Sequence, residues 1–100
     1  SNAIQQEIES AGYFVVKSYV GHGVGEELHQ DPQIPCYGRP NTGPKLSDNQ
    51  TIAIEVMYTT EKSQLTIAAD GWTIVAKDAN LAALFERTIM VRRNKPIVLT

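Results

Sequence analysis

The chain has 100 residues, 42% hydrophobic and 20% charged, which are the proportions of a globular chain and exclude a disordered or fibrous one. Its formal net charge of −2 gives no electrostatic footprint for phosphate backbones, and the pair Arg92-Arg93 is too short to make one, so nucleic acid is not an expected partner. A single cysteine, Cys36, excludes an intrachain disulfide scaffold, and no apolar run approaches the ~20 residues that cross a bilayer; a cytoplasmic protein without a membrane partner is expected.

Ser1-Asn2-Ala3 looks like a remnant of tag removal and is set aside from the fold. Ile4, Ile8 and Ala11 recur at helical spacing ahead of Gly12, which predicts a short helix over 4–11. Tyr13 to Val20 is aromatic and β-branched and predicts a strand. Residues 21–46 hold five glycines and four prolines, predicting a long structured loop whose glycine-histidine opening favours function. Thr51–Thr59 predicts a strand forming a hairpin with a second one near Gln64–Ile67. Asp70-Gly71 marks a turn before a strand over Trp72–Ala76, and strands follow over Leu84–Arg92 and Pro96–Leu99. One helix followed by mostly antiparallel strands is an α+β pattern.

Glu55 sits inside the apolar run Thr51–Met57, and Glu86 in Leu84–Met90 shares its strand face with Leu84, Thr88 and Met90; a carboxylate buried in such a strand needs a compensating charge or metal. The plainer alternative is a water-facing sheet or an ion pair with Arg87, Arg92 or Arg93. His22 lies between Gly21 and Gly23, whose lack of side chains lets an imidazole approach a ligand closely, and His29 follows. Histidine with carboxylates and no clustered cysteine suits a catalytic divalent ion rather than a structural zinc, although each histidine alone is also an ordinary loop residue. The three glycines Gly21, Gly23 and Gly25 lack the lysine-serine pair of a phosphate loop. Trp72 reads either as core or as the wall of an apolar pocket.

Gly21-His22-Gly23-Val24-Gly25, Leu28-His29-Gln30-Asp31-Pro32, Ile54-Glu55, Asp70-Gly71-Trp72-Thr73 and Phe85-Glu86-Arg87-Thr88, in that order, resemble the motifs of type I methionine aminopeptidases. Asp70-Gly71-Trp72-Thr73 with Lys77-Asp78 resembles the methionine-specific branch rather than the Xaa-Pro peptidases. The resemblance implies half of a pita-bread (creatinase/aminopeptidase) fold, with residues 4–100 as the carboxy-terminal half of the catalytic domain. It implies removal of the amino-terminal methionine from nascent proteins and peptides by two divalent ions (Co, Mn, Fe or Zn). His22, Glu55 and Glu86 would be metal ligands, Glu86 bridging the ions and Glu55 moving a proton. His29 would contact the scissile peptide, and Leu28 and Trp72 would line the methionine pocket. Val56 departs from a usual proline, Leu28 from a usual aromatic residue and Arg87 from a frequent histidine. Two aspartate ligands of the family have no counterpart here, so the chain alone is expected to be inactive, with one weak metal site or none, and to form a homodimer. A non-catalytic pita-bread relative that binds peptides or proteins, and an Xaa-Pro peptidase, remain the alternative readings.

Overall fold

The computed structural model describes residues Ser1–Thr100. Helix α1 (Asn2–Ser10) is followed by strands β1 (Phe14–Val15), β2 (Gly21–Gly23), β3 (Gln30–Ile34), β4 (Thr51–Thr59), β5 (Leu65–Ile67), β6 (Ile74–Ala76), β7 (Ala82–Met90) and β8 (Ile97–Val98). The main sheet has the order β3-β2-β4-β7-β8, with β1 also paired to β4, and every pairing is antiparallel. β5 and β6 form a separate hairpin.

The central ladder joins β4 to β7 over nine residue pairs, from Thr51↔Met90 to Thr59↔Ala82. Side chains alternate across such a ladder, so Ile52, Ile54, Val56 and Tyr58 share one face. That face carries the core: Val56 packs with Val15 and Cys36, and Ile4, Ile8, Tyr37, Ile54 and Tyr58 lie against this cluster. Helix α1 therefore covers the apolar face with Ile4 and Ile8. The helix ends where Gly12 takes a positive φ of 84°, and the Ala11 and Gly12 amides bond back to Glu7 and Glu9.

The structure revises several sequence-based expectations. Helix α1 includes Asn2 and Ala3, and the Asn2 side-chain amide donates to the Gly38 carbonyl at 2.9 Å, so these residues take part in the fold. The strand expected over 13–20 pairs only at Phe14 and Val15. β1 and β2 both lie on the same edge of β4, and the six residues 16–21 span only the four residues 54–57. The surplus forces the chain to bulge, which ends β1. The long loop expected over 21–46 contains β2 and β3. Pro32 is tolerated because β3 is an edge strand, which needs no second ladder donor.

The hairpin expected between β4 and β5 is absent; β4 takes β7 as its partner and β5 takes β6. Asp70 explains the second choice. Its carboxylate accepts the Trp72 and Thr73 amides at 2.9 and 2.8 Å, closing an Asx-type turn between β5 and β6, with Gly71 at a φ of 74°.

Candidate metal centre

Glu55 stands directly opposite Glu86 in the β4–β7 ladder. His22 pairs with Ala53 on the other edge of β4, two residues from Glu55 and hence on the same sheet face. The three side chains converge there, with one donor atom from each lying within 4.8 Å of the others. A tetrahedral divalent ion with bonds of about 2.1 Å spaces its donors roughly 3.4 Å apart. The donors lie within about 1.4 Å of that spacing, and a histidine with two carboxylates is a donor set that fits a divalent metal.

β2 brings His22 close because its glycines carry no side chain. A Cβ on Gly21 would overlap the Ala53 carbonyl, and one on Gly23 would overlap the Asp31 carbonyl. The imidazole is half-buried, and its Nδ1 lies 2.9 Å from the Gly23 carbonyl oxygen. A carbonyl only accepts, so Nδ1 must carry the hydrogen, and the neutral tautomer leaves the Nε2 lone pair for a metal. Neither Glu55 nor Glu86 is ion-paired; the chain's one ion pair joins Arg92 to Asp48 at 3.9 Å.

His29 joins the cluster through its ring, 4.2 Å from that of His22 between centroids and tilted by 47°. Leu28 and Trp72 do not pack into the core; they are 72% and 87% exposed. Trp72 sits at the tip of the β5–β6 hairpin, next to the Asp70 turn. Two of the pronounced concavities lie away from the triad, one lined by Lys45, Asp48, Arg92 and Arg93 and the other by Glu9, Phe14, Lys62 and Leu65. The triad instead occupies an open sheet face.

Sequence reasoning missed Cys36. Its side chain is 2% exposed, and its thiol donates to the Glu55 carbonyl oxygen at 3.1 Å. Burial pushes the thiol above its ordinary range and the Glu55 charge adds to this, against the opposing pull of the amino-terminal ammonium. No local pattern could have indicated this contact, because Cys36 and Glu55 meet only when the sheet is assembled.

The chain matches the model of metallopeptidase family M24 over residues 1–93. It is 45% identical to the methionine aminopeptidase of Clostridium acetobutylicum over 100 residues, all of this chain and 40% of that protein. Methionine aminopeptidase 1 of Bacillus subtilis is likewise 45% identical over the whole chain and 40% of its own length. The crystal structure of methionine aminopeptidase from Thermotoga maritima superposes with a TM-score of 0.90 at 46% identity, covering 95% of this chain and 38% of that one. The chain thus spans about 40% of the length of the curated relatives it matches. Its fold is that of the matching part of these pita-bread enzymes, and the family is one of divalent-metal hydrolases. With a histidine and two carboxylates gathered on one sheet face, this chain belongs to metallopeptidase family M24.

Proposed function

We propose that the chain forms one side of the active site of a methionine aminopeptidase and corresponds to the carboxy-terminal half of its catalytic domain, residues 4–100. The observation that carries this reading is the convergence of His22, Glu55 and Glu86 within 4.8 Å in a chain that matches such enzymes throughout. When bound, divalent metal supplies Lewis-acid polarisation of the scissile carbonyl and a nucleophile at neutral pH. His22 would hold one ion through Nε2 with Glu55 beside it, and Glu86 would bridge toward a second. Glu55 also moves the proton released during hydrolysis. His29, ring to ring with His22, contacts the scissile peptide, and Leu28 and Trp72 close on the methionine side chain. Two aspartates from outside this chain complete the donor set for two ions of Co, Mn, Fe or Zn. The substrates are the amino termini of nascent proteins in the cytoplasm.

The test is hydrolysis by a protein that includes these residues together with the completing half. It should release methionine from a methionyl peptide, and Glu86→Ala should lower kcat by at least about a hundredfold, since even removing groups that only support metal ligands costs up to that much. Cleavage restricted to Xaa-Pro substrates would overturn the substrate, and metal loading without any hydrolysis would favour a peptide-binding relative. The 100-residue chain alone should bind at most one Mn²⁺ weakly and turn over no peptide; two tight sites by calorimetry would contradict this ligand assignment.

A further inference from the structure

Asp70-Gly71 is the one place in the sequence where an aspartate or asparagine precedes a glycine, and it lies at the exposed tip of the β5–β6 hairpin. Such a pair is chemically labile, because glycine puts no Cβ in the way of its own backbone nitrogen. That nitrogen attacks Cγ of the protonated aspartate side chain: an N–C bond forms, a carboxyl C–O bond breaks, and the hydroxyl leaves with the amide proton as water. Water then reopens the cyclic imide at either carbonyl. Opening at the aspartate's backbone carbonyl yields isoaspartate, in which the main chain runs through the former side-chain carbon. The mass is unchanged, and no co-reactant but solvent enters.

Both reacting groups are engaged elsewhere in the turn. The Gly71 N–H donates to the Ala68 carbonyl at 3.0 Å, while the Ala68 amide donates to the Thr73 carbonyl at 2.8 Å and closes the hairpin. One oxygen of the Asp70 carboxylate accepts the Trp72 and Thr73 amides at 2.9 and 2.8 Å, and the other accepts the Thr73 hydroxyl. Cγ cannot swing toward the Gly71 nitrogen without giving up these charge-assisted bonds. The Thr73 hydroxyl, followed by the two amides, also holds the carboxyl below its usual range, which keeps it an anion and so the poorer electrophile. We propose that Asp70-Gly71 is a latent isoaspartate-forming site and that Thr73 is its guard, the hydroxyl restraining the carboxylate from the Gly71 nitrogen. Trp72 is fixed through the same carboxylate. Isomerisation removes that acceptor and lengthens the main chain by a methylene, so it frees the indole as well. Only this consequence for substrate rests on the reading of Trp72 as a wall of the methionine pocket; the chemistry of the turn stands apart from it.

The test ages the chain at neutral pH and follows one peptide. Trypsin cuts after Lys62 and Lys77, and Asp70 is the only aspartate in the resulting peptide Ser63–Lys77, so electron-transfer fragmentation reads isoaspartate at that position alone. In the folded parent it should accumulate at least about tenfold more slowly than in the same chain unfolded in guanidinium chloride, about the factor set by one hydrogen bond to a charged group. Thr73→Val, which keeps the shape and loses the hydroxyl, should raise the folded-state rate about tenfold, and Thr73→Ser should stay at the parent rate. Equal rates in the folded and unfolded parent would overturn the guard without recourse to any variant. A parent-like rate in Thr73→Val, or a raised one in Thr73→Ser, would overturn the role of the hydroxyl. A slower rate in Thr73→Val would overturn it too, because the hydroxyl would then polarise the carboxyl for attack. In the completed enzyme, KM for a methionyl peptide should rise with the isoaspartate content of aged samples; unchanged KM in a fully isomerised sample would overturn the link to the pocket, while the peptide analysis decides the chemistry.

Discussion

Two carboxylates directly across an antiparallel ladder, as Glu55 and Glu86 are, repel each other unless a cation lies between them. Like charges in this arrangement destabilise a sheet by about 0.2–1 kcal/mol. Glu86→Gln should therefore stabilise the metal-free chain by about that amount while weakening its binding of Mn²⁺. Urea unfolding with and without Mn²⁺ checks both signs, and a lower midpoint for the metal-free variant would show that Glu86 has a stabilising partner other than metal. Strand alternation in the sequence identified each carboxylate as anomalous, and flanking glycines identified His22. The facing of Glu55 and Glu86 was not legible, because it depends on β4 choosing β7 as its neighbour. Leu28 was named only through resemblance, whereas the pattern left Trp72 open between core and pocket wall; exposures of 72% and 87% place neither residue in the core of this chain.

At the scale of elements, the approach of β2 to β4 depends on an absent side chain. Gly21→Ala places a methyl against the Ala53 carbonyl, so the strands must separate, at a loss of roughly 1–3 kcal/mol typical of overpacking. His22 should move with β2, and Mn²⁺ affinity should fall in parallel; an alanine variant with parent-like stability and metal binding would refute the close-approach argument. The β5–β6 turn makes a separate prediction. The Thr73 hydroxyl, then the Trp72 and Thr73 amides, hold the exposed Asp70 carboxyl below its usual range. Because the folded value is the lower one, the turn's contribution is complete above the ordinary aspartate pKa of about 3.9. It is lost as pH falls through the depressed folded value. Trp72 fluorescence should report an acid transition in that window that Asp70→Asn lacks, and identical profiles would argue against the capping role. β4 was legible to its exact bounds because nine residues of β-branched and aromatic pattern outweigh local accidents. β2 and β3 were hidden by glycines and a proline whose purpose, close approach and edge placement, appears only in three dimensions.

The whole molecule exposes more surface than its mass warrants. Its accessible area is 7414 Å², against roughly 5,600 Å² for a typical folded monomer of 11.0 kDa. The excess of about 1,800 Å² exceeds the ~800 Å² that one partner buries in a standard interface, and Leu84, Phe85, Ile97 and Val98 contribute to the exposed apolar surface. A chain studied alone should therefore associate, and we expect a two-fold homodimer that covers the sheet face bearing the triad. Sedimentation at rising concentration should show the dimer together with falling binding of an apolar dye; a persistent monomer with constant dye binding would exclude it. The nesting of the β5–β6 hairpin between β4 and β7 also bears on the order in which the molecule assembles. With the inner hairpin formed, the loop joining Thr59 to Ala82 is effectively shorter, so closing it carries a smaller entropic penalty. The ladder then zips outward from Thr59↔Ala82, and Glu55 meets Glu86 only after four rungs have formed. The carboxylate encounter is on this route a kinetic obstacle at the fifth of nine pairs, midway through closure, and divalent ions in the refolding buffer should speed the ladder's formation; a refolding rate unchanged by Mn²⁺ would exclude it.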